Sequence, residues 1–240
     1  MVCAMIDASV ERPTILFLHV PKTAGTTVAF ALMDNFADEQ RLLYQGIDQV
    51  ERLGESVRRQ LRFVRGHFAY GLHELFPQPC EYITVLREPV DRLLSLYGYI
   101  KRKPAHPLHE WMNKEDVSFE EFLDSKVTIE LDNHQTRMLS ASKSPFGQMS
   151  QDEMMLAIRH LEQCAVVGIQ DRLEDFIEIV SRRYGLKIAP CGSQLVAPRR
   201  LRADELEPSV YEKAEALCQY DNEVYSHAVA LSKSAVMMLR

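Results

Sequence analysis

The fold is decided by residues 14–27, which read TILFLHVPKTAGTT. The first seven of these residues form a near-continuous apolar run, which is typical of a strand buried on both faces of a parallel sheet. Residues 21–25 predict a tight turn, and a helix is predicted from Thr26 to about Asn35. A strand, a tight loop and a helix in this order open an α/β unit with a parallel sheet.

The rest of the chain continues the alternation of strands and helices. Strands are predicted at 63–66, 82–86 and 165–169, and helices at 89–101, at 173–185 and from 209 to about 232. Ser118 with Glu121, and Ser150 with Glu153, match the capping box that opens a helix. We therefore expect a single α/β domain over residues 1–240, with a parallel sheet flanked by helices on both faces.

Composition excludes several classes of protein. The chain has 34 acidic and 28 basic residues, for a formal net charge of −6, which argues against a nucleic-acid binder. Its five cysteines never occur as Cys-x-x-Cys, so neither a zinc site nor a disulfide framework is expected. The N-terminus lacks a signal-peptide pattern, and no apolar run reaches the ~18 residues of a membrane span. We expect a cytoplasmic protein, and the sequence indicates no oligomeric state.

The turn after the first strand has the composition of an anion site. Backbone N–H groups at a helix start point outward, and the helix dipole favours negative charge there. Gly25 allows close backbone approach, and Lys22 adds a mobile positive charge. The predicted phosphate-binding residues are Lys22, Thr23, Ala24, Gly25, Thr26 and Thr27. Because Lys22 precedes the glycine, the loop is not a Walker A motif. An ordinary capped turn between a strand and a helix is the alternative.

A second group of polar residues lies in YITVLREPVDRLLSLY, residues 82–97. Arg87 follows an apolar strand, at the end where open α/β sheets bind ligands. Helical spacing places Ser95 away from the apolar stripe that contains Leu93 and Leu96. A guanidinium with a hydroxyl suits a phosphate monoester. The alternative is a surface salt bridge of Arg87 with a neighbouring carboxylate.

Together these motifs resemble the family of sulfotransferases that use 3′-phosphoadenosine 5′-phosphosulfate (PAPS), in particular the branch of heparan and chondroitin sulfate O-sulfotransferases and their bacterial relatives. Residues 21–27 are similar to the family's 5′-phosphosulfate loop, and Arg87 and Ser95 are similar to its 3′-phosphate site. A weaker similarity continues through residues 132–139 and 166–168 and in the terminal helix. The resemblance implies a P-loop-like sheet, PAPS as co-substrate and no required metal. It also implies that Lys22 stabilises the oxygen between phosphate and sulfate as that bond breaks. Adenine contacts are expected from residues 190–202, with Arg199 and Arg200.

The reaction needs a base for the acceptor hydroxyl, and histidine suits neutral pH. His67 follows the predicted strand 63–66, in a Gly-His segment similar to the one that holds the family's base, and His73 is its rival. His19, inside the first predicted strand, is expected to have a hydrogen-bonded core role. Arg137 and Asn133 either meet a ligand or form a solvated polar face.

The sequence therefore predicts a sulfotransferase that moves a sulfuryl group from PAPS to a hydroxyl acceptor, with a carbohydrate or a lipid as the candidate carrier of that hydroxyl. Acceptor contacts are expected from loops at 101–114 and 140–148. Two alternatives stay open. One is a P-loop-type nucleotide or small-molecule kinase, and the other is a sulfotransferase-like module that binds without turnover.

Overall fold

The structure, a computed structural model, describes residues 12–44, 47–188 and 201–239. Arg199 and Arg200, and most of the predicted loop at 190–202, lie outside the described residues. Within the described ranges no helix combines the length and the apolar character that crossing a bilayer requires.

Among the residues that the structure describes, five parallel strands form one sheet in the order β2-β3-β1-β4-β5. They are β1 (Thr14–Leu18), β2 (Arg41–Tyr44), β3 (Phe63–Gly66), β4 (Cys80–Leu86) and β5 (Val166–Ile169). The four predicted strands are confirmed, with ends that shift by up to two residues. Sequence reasoning missed β2, because its four residues have no alternating pattern and gain their strand geometry by pairing with β3.

Helices cover both faces of this sheet. They are α1 (Gly25–Leu32), α2 (Ile47–Glu51), α3 (Glu55–Gln60), α4 (Pro89–Arg102), α5 (His109–Lys114), α6 (Phe119–Ser125), α7 (His134–Ser140), α8 (Gln151–Glu162), α9 (Leu173–Tyr184), α10 (Pro208–Leu217) and α11 (Gln219–Leu239). Both predicted capping boxes are present, at the starts of α6 and α8. In each box the serine hydroxyl and the glutamate carboxylate accept the backbone N–H groups that the first turn leaves unpaired.

The predicted single closing helix is wrong, because the chain breaks at Cys218 into α10 and α11. The carbonyl of Leu217 accepts from the N–H of Asn133. The Asn133 side-chain oxygen accepts from the N–H groups of Tyr220 and Asp221, and so caps α11. The break arises from these contacts with a segment more than 80 residues away, which helical periodicity cannot reveal.

The sheet is buried on both faces, as its apolar strands predict. In β1, Leu16 and Leu18 pack into one core cluster, while Ile15 and Phe17 pack into another on the opposite face. A third cluster joins α4, α5, α6 and α10 beyond the sheet. The prediction of a single α/β domain with a helix-flanked parallel sheet is confirmed for the described residues.

The strand order determines where the functional residues meet. β1 lies between β3 and β4, and Leu18 is in register with Gly66 of one neighbour and Thr84 of the other. The loops after β3, β1 and β4 therefore leave the same edge of the sheet side by side. This carboxyl edge is where open α/β sheets bind ligands.

Candidate active site

The loop after β1 has an unusual backbone. Lys22 and Ala24 both have positive φ values, 72° and 68°, although neither is glycine. Such residues orient successive N–H groups into a concavity that suits an anion. The Thr23 hydroxyl does not face this concavity, because Thr23 is fully buried and donates to the carbonyl of Val20 at 2.9 Å. Thr23 thus fixes the shape of the loop from inside.

The start of α1 completes the concavity. The N–H groups of Thr27 and Val28 both bond to the carbonyl of Ala24. By helix geometry, the N–H groups of Gly25 and Thr26 have no acceptor within α1 and are available to an anion. Position 25 also has no room for a side chain, because His19 packs against it, which the sequence did not reveal. A Cβ at this position would lie 1.9 Å from Cδ2 of His19.

The Lys22 ammonium lies over the ring of Tyr99, with Nζ 3.8 Å from the ring centroid. This is a cation–π contact. Burial, and then the charge of Arg102, lower the pKa of Lys22 to about 8. Lys22 is therefore still protonated at neutral pH, although its surroundings disfavour the protonated form. A bound anion would favour that form and raise the pKa of Lys22 again.

Arg87 is buried and held from several sides. Its Nη1 donates to the carbonyl of Lys22 at 3.2 Å, and its Nη2 to Asp91 at 3.3 Å. Gln135 fixes the main chain, because its side chain accepts from the N–H of Arg87 at 3.0 Å and donates to the Arg87 carbonyl at 2.8 Å. The guanidinium thus makes the salt bridge to Asp91 that the sequence left as an alternative. It is also fixed beside the loop after β1, residues 21–25, which we call the phosphate loop after the role predicted for it.

Ser95 lies on α4, eight residues after Arg87, and lines the same cleft. Leu93, Leu96 and Ile100 are buried on the core side of α4, as the apolar stripe predicts. Ser95 reaches the cleft because helical spacing places it away from this stripe, whereas Arg87 reaches it from the end of β4.

His67 follows β3 and is exposed at the cleft. Its Nδ1 is 2.8 Å from the carbonyl oxygen of His19, which can only accept a hydrogen bond, so Nδ1 carries the proton of the neutral ring. Nε2 is then the unprotonated nitrogen that can take a proton. Desolvation lowers the pKa of His67, and Arg65 lowers it further, while the His19 carbonyl opposes them.

His19 holds His67 in place. Its Nδ1 accepts from Nη2 of Arg65 at 2.8 Å, so the ring is neutral. Burial, and then the positive neighbours, lower the pKa of His19 to about 2. The two imidazole centroids are 4.5 Å apart. The expected hydrogen-bonded role of His19 agrees with these contacts, although the residue also lines the cleft.

His73 lies elsewhere. Its Nδ1 is 3.0 Å from the Tyr82 hydroxyl, and its ring packs edge-on against Tyr82. It is not among the residues that line the cleft. The geometry therefore favours His67 over His73 as the group that meets a ligand.

Arg137 and Asn133 form no solvated polar face. Both are buried. Arg137 is paired with Asp132 and donates to the carbonyls of Ser144 and Pro145, whereas Asn133 caps α11. Their contacts are structural. The segment around them joins the carboxyl edge of the sheet, through Gln135, to the C-terminal helices, through Asn133.

All these loops border one cleft of about 1480 Å³. Its lining includes His67, Arg87, Ser95 and every predicted residue of the loop after β1 except Thr23. It also includes Arg202, the last residue of the loop predicted to contact adenine, and residues that no motif marked, among them Arg65, Tyr99, Glu130 and Gln170. Of the two loops predicted to contact the acceptor, 101–114 contributes Arg102 and His106, and 140–148 contributes no lining residue. Pockets of roughly 300–1,000 Å³ hold single drug-sized ligands, so this cleft has room for a nucleotide and a second substrate.

Fold and site together define an α/β protein with a cleft at the carboxyl edge of a parallel sheet, lined by basic side chains that include Lys22, Arg65 and Arg87. A model of the sulfotransferase family matches residues 9–183, more than half of the chain, and the chain belongs to this family. The comparison with curated proteins yields no match.

Among solved structures, mouse sulfotransferase SULT7A1 complexed with PAP is similar with a TM-score of 0.51 and 12% identity, over 93% of this chain and 89% of that one. A sulfotransferase from Alicyclobacillus acidocaldarius has a TM-score of 0.47 and 15% identity, over 95% of this chain and 100% of the other. The predicted P-loop-like fold and the predicted family are confirmed.

Proposed function

We propose that this sulfotransferase-family protein transfers a sulfuryl group from PAPS to a hydroxyl group of an acceptor, with a carbohydrate or a lipid as the candidate acceptor class. The observation that carries the proposal is the contact between Arg87 and the phosphate loop, in which Nη1 donates to the carbonyl of Lys22 at 3.2 Å. Two groups suited to phosphate thus border one cleft. PAP is adenosine 3′,5′-bisphosphate, the product that remains when PAPS loses its sulfuryl group, and its presence in the mouse relative supports this choice of donor.

In the proposed binding mode, the N–H groups at the start of α1 and the Thr26 and Thr27 hydroxyls hold the 5′ end of the nucleotide. Arg87 and Ser95 hold the 3′-phosphate. Arg87 is suited to this because its guanidinium is already fixed by Asp91 and the Lys22 carbonyl, and so loses little freedom on binding.

In the proposed reaction, the acceptor oxygen attacks sulfur in line with the bridging oxygen. The bond between sulfur and the bridging oxygen breaks as the new sulfate ester bond forms. Nε2 of His67 takes the acceptor proton, and Lys22 leaves the Tyr99 ring to stabilise the negative charge on the departing 5′-phosphate oxygen. The products are PAP and the sulfate ester, and the charge stabilisation comes from Lys22, so the scheme requires no metal.

Calorimetric titration tests the donor. We expect adenosine 3′,5′-bisphosphate to bind at least about tenfold more tightly than AMP, because only the former can engage Arg87 and Ser95. Equal affinities would remove the 3′-phosphate site. Labelled PAPS with a panel of sugars, lipids and phenols then tests transfer. Binding without transfer to any acceptor would favour a non-catalytic module, and preferential binding of ATP with Mg²⁺ would favour a kinase.

A further inference from the structure

Glu130 brings a carboxylate into the cleft that none of the sequence motifs marks. It lies in the short 3₁₀ helix Ile129–Leu131, which leads into α7. Its N–H donates to the hydroxyl of Thr128 at 3.3 Å, and its carbonyl accepts from Nη2 of Arg92, whose side chain is fully buried. The backbone is therefore fixed on both sides of the residue, while the carboxylate lines the cleft.

The carboxylate of Glu130 is incompletely satisfied. Its Oε2 is buried and has no hydrogen-bond partner within 12–44, 47–188 and 201–239. Withdrawing a carboxylate oxygen from water without a partner is costly. Among the described residues, the positively charged side chains that line the same cleft, such as Lys22 and Arg65, compensate for this cost.

Charged and titratable groups act on His67 from several elements. They are His19 and Lys22 after β1, Arg65 of β3, His134 of α7 and Glu130. His19, Lys22, Arg65 and Glu130 line the same cleft as His67. His19 is neutral, and burial holds the pKa of His134 well below its ordinary value, so His134 is neutral too. Lys22 and Arg65 both oppose a positive charge on His67. Among the described residues, Glu130 supplies the carboxylate charge that raises the pKa of His67.

The charge of Glu130 has a similar effect on Lys22. Burial and the charge of Arg102 disfavour its ammonium form, and Glu130 again acts in the opposite direction. Glu130, His67 and Lys22 line the same cleft. The carboxylate charge therefore favours both groups that the proposed reaction needs in positive form, the imidazolium after proton transfer and the lysine at the leaving oxygen.

We propose that Glu130 is a positioning residue of the cleft, whose carboxylate stabilises the imidazolium that forms on His67 and keeps the Lys22 ammonium charged. The role of Glu130 in the reaction rests on the proposed function, whereas its effect on the titration of His67 can be measured without it. The acceptor proton moves to Nε2 of His67, and Glu130 takes no proton. Its negative charge offsets the charge that proton transfer creates among Lys22 and Arg65.

The test is an NMR titration of the His67 imidazole in protein labelled with ¹⁵N at histidine. The variants are Glu130→Gln, which keeps the shape without the charge, and Glu130→Asp, which keeps the charge. Glu115→Gln is the matched control, because Glu115 is exposed and outside the cleft. We expect the His67 midpoint to fall by about one pH unit in E130Q, as an opposite charge nearby implies, and to stay near its original value in E130D and E115Q.

An unchanged His67 midpoint in folded E130Q would overturn the proposal. If E130Q does not fold, the same titration of Glu130→Ser decides by the same criterion. Because the titration uses no nucleotide, its result is independent of the proposed function, which calorimetry with adenosine 3′,5′-bisphosphate tests separately.

Turnover separates Glu130 from the base itself. With an acceptor found in the screen, or with water as acceptor and labelled sulfate release from PAPS as the signal, E130Q should lose about tenfold in kcat, the equivalent of one pKa unit. E130D should recover most of this loss. Complete loss in E130Q with full activity in His67→Ala would make Glu130 the base and overturn the positioning role.

Discussion

Two parts of the cleft are built differently. In the first, the Arg87 guanidinium and backbone make hydrogen bonds to Lys22, Asp91 and Gln135, so the group is fixed before any ligand arrives. In the second, the Lys22 ammonium rests on the ring of Tyr99, and the pKa values of Lys22 and His67 are both lowered by desolvation. Binding benefits from fixed groups, whereas chemistry benefits from groups whose charge changes easily. This difference supports the proposed function, in which the first part recognises the nucleotide and the second carries the reaction.

The largest effect is expected from His67→Ala, in the second part of the cleft. Loss of a general base costs about 10²–10⁴-fold in rate, so transfer from labelled PAPS should nearly vanish. Calorimetry should show nearly unchanged binding of adenosine 3′,5′-bisphosphate, since Arg87 is intact. His73→Ala is the matched control and should remain active. The reverse pattern, an active H67A and an inactive H73A, would transfer the role of base to His73.

Lys22→Ala is expected to follow closely. Removing one preorganised group at the site of developing charge costs about 10²–10³-fold in kcat, and nucleotide affinity should be largely kept because the loop amides remain. Initial rates with labelled PAPS, compared with those of the exposed Lys114→Ala control, measure the effect. A K22A variant with normal kcat and weakened affinity would make Lys22 a binding residue, and the division of roles between the two parts of the cleft would fail.

Gly25→Ala tests whether the phosphate loop depends on its packing against His19. The added Cβ would meet Cδ2 of His19 at 1.9 Å, so the ring or the loop must move. Overpacking of this kind costs about 1–3 kcal/mol of unfolding free energy, measurable by chemical denaturation. At Gly54 the added Cβ would come no nearer than 3.9 Å to Ser56, so Gly54→Ala is the control. Equal stability of the two variants would show that the loop yields readily.

The smallest effect is a shift in the pH profile. The free protein's Lys22 has a pKa of about 8, so its charge is present below that pH and is lost as the pH rises through it. The ratio kcat/KM should therefore fall above about pH 8. Because the pKa of His67 is lowered, its base form should persist below pH 6.5. Lys22→Arg should move the alkaline fall to higher pH, and an unmoved fall would assign that limb to another group.

The sequence predicted those parts of the molecule that depend on short-range pattern. Strand β1, the following turn and the capping boxes follow from apolar runs and polar residues within a few positions of one another. Arg87 reaches the cleft because it directly follows an apolar strand, and Ser95 because helical spacing places it away from the apolar stripe of α4. These features can be read without knowing which distant segments meet.

What the sequence could not predict depends on long-range contacts. Strand β2 exists through its pairing with β3, and the break at Cys218 through Asn133. The close approach of Gly25 to His19 is invisible because the loop folds back on the strand end. Glu130 reaches the cleft from more than 100 residues beyond Lys22, and a lone glutamate in a polar segment carries no signal of burial.

The side chain of Gln135 has a consequence for which residues this site can tolerate. A carboxamide that both accepts from Arg87 N–H and donates to Arg87 C=O makes the pair of bonds that one residue of an antiparallel strand would make. It holds the main chain directly after β4 has ended, with an amide standing in for a peptide group. Glutamate at this position has the same shape but offers no donor at neutral pH, so an otherwise conservative exchange would loosen the arginine.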